Sequence, residues 1–268
     1  VIALLGTAFL LYVAAGIAYG SSLTAQTDRV TRLPRTLMSV GALVHLLGIG
    51  LLCSNRGTPL FSTAVGMLSV ASFGVVLLYL LAEWKTRLAA LGTAAAPIAA
   101  ILLFAGILRS NTRGPMEAGV RSGIISTHVL MILFSFALFA LSACCALFYL
   151  WQYRHLKRPD ATGWFRRLPP LQSVDRLGFL LVGLAMPLLT MGLALGIVRA
   201  ATSPTGGNWL SDPHTLMSLT AWLVYSAYLG LRLIAGWHGQ RLQYLLLIGL
   251  GLTLALYFLP SSTHRFIG

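Results

Sequence analysis

Apolar residues in this chain run in eight long blocks, separated by short stretches that hold most of the charge, proline and glycine. The blocks lie at about 1–19, 36–53, 61–82, 88–108, 122–150, 177–198, 212–233 and 241–259. A helix that crosses a bilayer needs roughly 20 mostly apolar residues, and blocks of this length repeated along the chain leave no room for a sizeable soluble domain. The predicted fold is all-α: a polytopic transmembrane bundle of eight spans, forming a single integral membrane domain over residues 1–268. Helical periodicity does not divide the block surfaces between lipid-facing and partner-facing sides. The chain opens on apolar residues with no basic segment before them, so it is expected to start within its first span, which need not be a cleaved signal peptide.

Composition supports this pattern. Hydrophobic residues are 57% of the chain and Asp, Glu, Lys and Arg only 9%, against about 25% charged residues in soluble domains. Net charge is +13. In a soluble protein that excess would point to nucleic acid, but here the basic residues are scattered through short connections, so no nucleic-acid partner is expected and the lipid bilayer is. The positive-inside rule turns the excess into a topology. The most basic connection, 151–176, carries Arg154, Lys157, Arg158, Arg166, Arg167 and Arg176 against Asp160 and Asp175. Connections 20–35, 83–87 and 232–241 add Arg29, Arg32 and Arg35, Lys85 and Arg87, and Arg232 and Arg241. All four fall on one side of an eight-span chain, which is read as cytoplasmic, with both termini on the outer, periplasmic side of a bacterial cytoplasmic membrane. Trp164 and Phe165 beside Arg166 and Arg167 predict a short interfacial segment within 151–176.

Prolines mark the punctuation. Pro34, Pro59 and Pro115 fit loops or first turns, while Pro97 and Pro187 fall inside spans, where membrane helices tolerate them. The three cysteines, Cys53, Cys144 and Cys145, form no C-x-x-C pair and are read as packing residues. No serine, cysteine or carboxylate pair is spaced for nucleophilic or acid–base work, so binding is expected and catalysis is not.

The histidines carry the chemistry. His128, in the first turns of span five, His214, at the mouth of span seven, and His264, after span eight, converge on the outer face from three different spans. Neutral imidazole is a good ligand for iron, copper or zinc, and two histidines across an apolar slot suit the axial positions of haem. The bland alternative is interfacial histidines hydrogen-bonded to loops. The chain has no C-x-x-C-H, so covalent c-type attachment is not expected. Asp212-Pro213 reads as a helix start; beside His214, Asp212 could also orient the imidazole and Trp209 could stack on a porphyrin. Arg109, Arg113 and Arg121, on the same face, are candidate partners for propionates. His45 falls near the middle of span two, where a charged group is costly. It could ligate a second haem or hydrogen-bond a neighbouring helix. His155, among Arg154, Lys157 and Arg158, is read as solvated or headgroup-facing, and His238 as structural.

The ordered fragments "VHLLG", "VGMLSVASFGVVLLYLLAEWK", "RLPPLQSVDRLGF", "DPH" at 212–214, "TAWLVYSAYLGLR", "GWHGQR" and "LALYFLPSSTH" resemble the cytochrome c assembly family of haem-handling membrane proteins of the CcsA, ResC and CcmC types, with the nearest resemblance to its HemX/YpjD branch. The resemblance covers essentially the whole chain. It implies that His128 and His264 stand at the two external haem ligands, the pair assigned here as metal-binding, and that His45 stands at the first of two internal ligands. The second would fall where this chain has Gly230. The family's tryptophan-rich outer segment is reduced to Trp209 and Asp212-Pro213, with His214 after the proline. The resulting expectation is non-covalent haem b held at the outer face by His128 and His264, lined by His214, Trp209 and Asp212. The partners implied are cytochrome c assembly or respiratory-chain membrane proteins. Two rivals stay open: a regulatory or accessory subunit without haem, as in HemX-like control of haem synthesis, and a transporter or quinone-linked redox protein.

Overall fold

A computed structural model describes residues 1–24, 32–55, 60, 63–86, 91–110, 123–156, 170–201 and 213–255. The described residues form eight α-helices: α1 (Ile2–Thr24), α2 (Arg32–Asn55), α3 (Ala64–Thr86), α4 (Gly92–Leu108), α5 (Gly123–Leu156), α6 (Leu171–Ala201), α7 (Pro213–Leu233) and α8 (Gln240–Ala255). They follow the eight apolar blocks in order. Six of them, α1–α3 and α5–α7, are long and apolar enough to cross a membrane; α4, at 17 residues, is a shorter apolar helix. Their outward surfaces are as oily as their inward ones. Leu10, Ile17, Leu47, Ile101, Leu184 and Leu223 are all exposed, as suits helices whose surroundings are lipid tails.

Two connections are shorter than the sequence pattern predicts. Helix α5 runs on through Trp151–Leu156, because nothing before Pro159 breaks it, and α6 already begins at Leu171, directly after Pro170. The predicted connection 151–176 therefore contributes helix at both ends, and its expected interfacial segment lies outside the described residues. Arg232 likewise belongs to the last turn of α7. The α7–α8 turn is compact: Gly236 takes φ 64° and Gly239 φ 90°, left-handed values that glycine adopts without a Cβ clash, and the Trp237 N–H reaches back to the Leu231 carbonyl at 3.0 Å.

The chain divides into two compact units. The first comprises Val1–Pro115 with His155–Pro170, and the second Met116–Arg154 with Leu171–Gly268. In the first unit α1 packs on α2 and α4, α2 on α3, and α3 on α4, which closes a ring of four helices. Between lipid-soluble helices the hydrophobic effect supplies no drive, so close van der Waals fit and interhelical hydrogen bonds must hold the ring. Glycine makes the fit possible. A Cβ on Gly41 would lie 2.8 Å from the Tyr12 ring and one on Gly48 would lie 2.8 Å from Leu5, so α1 and α2 meet antiparallel at two sites a heptad apart.

In the second unit α7 packs on both α6 and α8, and Phe139 of α5 stacks on Tyr225 of α7 with ring centroids 3.6 Å apart. Cys145 of α5 sits against Gly178 of α6. Cys144 and Cys145 are buried and free, in keeping with their reading as packing residues.

Candidate functional site

The site in the second unit starts from the sequence "GLALG" at 192–196 of α6. Two glycines four residues apart leave a bare strip of backbone on one helical face, and α5 lies on that strip. Ile132 covers Gly192: a Cβ there would meet the Ile132 Cδ1 at 2.7 Å. One turn away, the His128 imidazole covers Gly196, where a Cβ would lie 2.8 Å from the ring Cε1 and 3.1 Å from Nδ1. The register is antiparallel, His128 on Gly196 and Ile132 on Gly192.

The ring is held by one hydrogen bond. His128 Nδ1 lies 2.6 Å from the Gly192 carbonyl oxygen. A carbonyl can only accept, so Nδ1 carries the proton and donates it. In the neutral ring Nε2 then keeps the lone pair. This is the arrangement found in metal-binding histidines, where the second ring nitrogen donates to a carbonyl and fixes which nitrogen can ligate. The His128 side chain is partly exposed. Its donor chemistry fits a ligand to haem iron.

Away from His128, the same unit is pinned by a buried ionic clasp. Asp175 at the start of α6 accepts two bonds from Arg232 of α7, Nη1 to Oδ1 at 2.9 Å and Nη2 to Oδ2 at 2.6 Å, and a third from Gln243 of α8, Nε2 to Oδ1 at 2.6 Å. The paired side chains are 10% and 9% exposed, and the guanidinium also lies over the Phe179 ring, 5.1 Å from its centroid. The sequence pattern placed Asp175 and Arg232 in the connections between spans. The structure corrects this: each sits on a helix inside the unit and neutralises the other, because an unpaired charge there would be costly.

The first unit holds His45 in a different way. The residue is fully buried. Its Nδ1 lies 3.1 Å from the Tyr12 hydroxyl of α1 and its Nε2 lies 2.8 Å from the Ser69 hydroxyl of α3. Phe73 meets the ring edge-on at 5.8 Å. Further along the same helices, the Tyr19 hydroxyl donates to the buried Glu83 carboxylate at 3.1 Å. Both histidine nitrogens are thus engaged with hydroxyls of neighbouring helices.

Of the other predicted residues, Trp209, Asp212 and His264 lie outside the described residues. His214 is the second residue of α7, after Pro213 at its first position, as the Asp-Pro signal predicted. At Gly230, a Cβ would meet nothing within 4 Å. Among the described residues no group of three or more His, Cys, Asp or Glu is gathered as a metal site. Sequence reading missed Gly192, Gly196, Tyr12 and Ser69. The two glycines had a visible signal, a small-xxx-small pair inside a span; single hydroxyls in apolar runs have none.

Fold and site define an integral, all-helical, multi-pass membrane protein with a histidine presented from a glycine seam. Residues 61–267 match the family model described as cytochrome C assembly protein, and the chain belongs to that family. It is similar to the cytochrome c biogenesis protein CcsA of Porphyra purpurea, 25% identical over 304 aligned residues that cover 93% of this chain and 95% of the relative. The CcsA protein of Guillardia theta is also 25% identical, over 73% of this chain and 72% of its own length. That of Synechococcus sp. (strain JA-2-3B'a(2-13)) is 35% identical over a shorter stretch, 40% of this chain and 31% of its own. The expected family membership is met by these matches. The HemX/YpjD placement rests on the sequence fragments alone.

Proposed function

We propose that this protein acts in cytochrome c assembly by holding b-type haem non-covalently at the outer face of a bacterial cytoplasmic membrane, through His128 and His264. The observation that carries the reading is the His128–Gly192 hydrogen bond. It commits Nδ1 to the helix backbone and leaves Nε2 as the nitrogen able to ligate. Bound haem would supply an iron centre that takes imidazole nitrogen. His128 would hold it, oriented by α6, and His264 is assigned as its second ligand from the family resemblance. His214, Trp209 and Asp212 are assigned to the lining on the same ground. Relatives named as cytochrome c biogenesis proteins support the assembly role, and membrane proteins of cytochrome c assembly or of the respiratory chain are the partners it implies. An eight-span topology is proposed from the eight helices, and the placement of both termini outside from the basic connections.

His45 is assigned a structural part in this reading. Its nitrogens are both engaged by hydroxyls, so ligation would first have to break a buried hydrogen bond.

Absorption spectra of the detergent-purified protein, oxidised and dithionite-reduced, test the proposal. A Soret band with sharp reduced α and β bands is expected in the wild type and lost in a His128→Ala/His264→Ala double variant. A colourless wild type that also fails to take up added hemin overturns it and favours a regulatory or accessory role without haem.

A further inference from the structure

We propose that Gly196 is the positioning residue that sets the ligating nitrogen of His128, and that helix α6 selects the tautomer through its own backbone. The inference deepens the haem reading and rests on it for its purpose, though its central claim concerns the protein alone.

A helical carbonyl is already turned along its helix toward the amide four residues on, and an outside donor reaches its second lone pair only if it can approach the backbone closely. Ordinary side chains on α6 would keep an imidazole away. At Gly196 nothing does. The ring lies over the bare Cα, and a methyl built there would stand 2.8 Å from Cε1, 3.1 Å from Nδ1 and 3.6 Å from Nε2. Those three atoms make up the edge of the ring that carries both nitrogens. A methyl at 196 would push that edge off the helix and break the 2.6 Å bond from Nδ1 to the Gly192 oxygen. Without the carbonyl the imidazole is free to carry its proton on either nitrogen, and the Nε2-protonated form has no lone pair at the ligating position.

The two glycines of the seam have separable duties. Gly192 makes room for Ile132: its built Cβ meets Ile132 Cδ1 at 2.7 Å, Cγ1 at 3.0 Å and the backbone nitrogen at 3.5 Å. Gly192→Ala therefore loosens the helix contact without touching the imidazole directly, and its carbonyl is retained. Gly183 of the same helix faces open space, with nothing within 4 Å of a built Cβ, so Gly183→Ala changes helix composition and nothing else.

The experiment is NMR of the haem-free protein in detergent micelles with isotope-labelled imidazole nitrogens. The His128 signals are assigned by their loss in His128→Gln. The wild type is expected to show one tautomer, protonated at Nδ1. Gly196→Ala is expected to give a mixture, while Gly183→Ala keeps the wild-type form. Hemin titration of the same variants should show about ten-fold weaker uptake for Gly196→Ala, the low end of what loss of a ligand-orienting partner costs at metal sites. A wild-type His128 protonated at Nε2 overturns the proposal without any variant, so a Gly196→Ala protein that fails to fold cannot shield it. A Gly196→Ala protein that keeps a pure Nδ1-protonated ring overturns it as well. The expected tautomers without hemin uptake in any variant would leave the positioning role standing and remove the haem reading.

Discussion

Each of the two units holds a histidine among its helices, His45 fully buried and His128 partly exposed, and the partners of each ring decide what it can do. In the first unit His45 sits between the hydroxyls of Tyr12 and Ser69. A hydroxyl can donate or accept, so either tautomer satisfies the pair, and in both cases no lone pair is left over. In the second unit His128 meets a carbonyl, which can only accept. That single difference turns one imidazole into a hydrogen-bonded strut across three helices and leaves the other with a nitrogen available for ligation. The presence of a histidine in a span says little; the donor and acceptor character of its neighbours says which reading applies.

The units also differ in how their helices are tied together. The second uses charge, with Asp175 bound to Arg232 and Gln243 across α6, α7 and α8; the first uses hydroxyls around His45 and Glu83. Removing one partner of a buried pair strands the other charge, which costs about 3–5 kcal/mol. Asp175→Asn is therefore expected to be the most destabilising of the variants considered, about 3 kcal/mol with Gln243 still able to bond the amide, read as a lowered thermal midpoint in detergent. Adding Arg232→Met should recover part of that loss, because the stranded guanidinium is gone. A double variant no more stable than Asp175→Asn alone would break the picture of an ionic clasp.

Much of the fold was legible because the lipid environment writes it in runs of apolar residues. The blocks located all eight helices, and Pro213 marked the start of α7 as its sequence context required. What the pattern could not give were pairings. Asp175 and Arg232 lie 57 residues apart, at the edges of apolar blocks, where a charge looks like a loop anchor whether or not it has a partner. Gly192 and Gly196 carried a small-xxx-small signal, but it did not say which side chain would lie in the space they leave. His128 was legible as a candidate from its place near the start of a span, but its protonation could only come from the atom it touches. Trp209, Asp212 and His264 fall outside the described residues, so their part in the site stands on the sequence.

The His45 strut sets the next largest effect. His45→Leu keeps an apolar side chain of similar reach but leaves the Tyr12 and Ser69 hydroxyls buried without their shared partner. Interhelical hydrogen bonds in membrane proteins are worth about 0.6 kcal/mol on average, and an orphaned buried polar group costs about 1–3 kcal/mol. A loss of about 2 kcal/mol is expected, with hemin uptake at His128 unchanged. His128→Ala should do the reverse, removing the haem spectrum while leaving the thermal midpoint close to that of the wild type. A His45 variant that abolished the spectrum would erase the contrast between the two rings.

Ser69→Ala sharpens the comparison at its smallest step. It deletes one of the two hydroxyls on His45 and leaves the imidazole bound to Tyr12 through Nδ1. The expected cost is about 0.6 kcal/mol, that of a single interhelical hydrogen bond in a membrane. Its more telling consequence is chemical. With Ser69 gone, Nε2 of His45 has no polar neighbour that the wild-type contacts provide, so the buried ring should settle with its proton on Nδ1, donated to Tyr12, because an N–H left unpaired in the core is the costlier orphan. Its tautomer would then match that of His128. Imidazole NMR of Ser69→Ala should show that form for His45; a ring still protonated at Nε2 would mean that Tyr12 acts as donor even when this strands an N–H, and that the hydroxyl strut has a fixed direction after all.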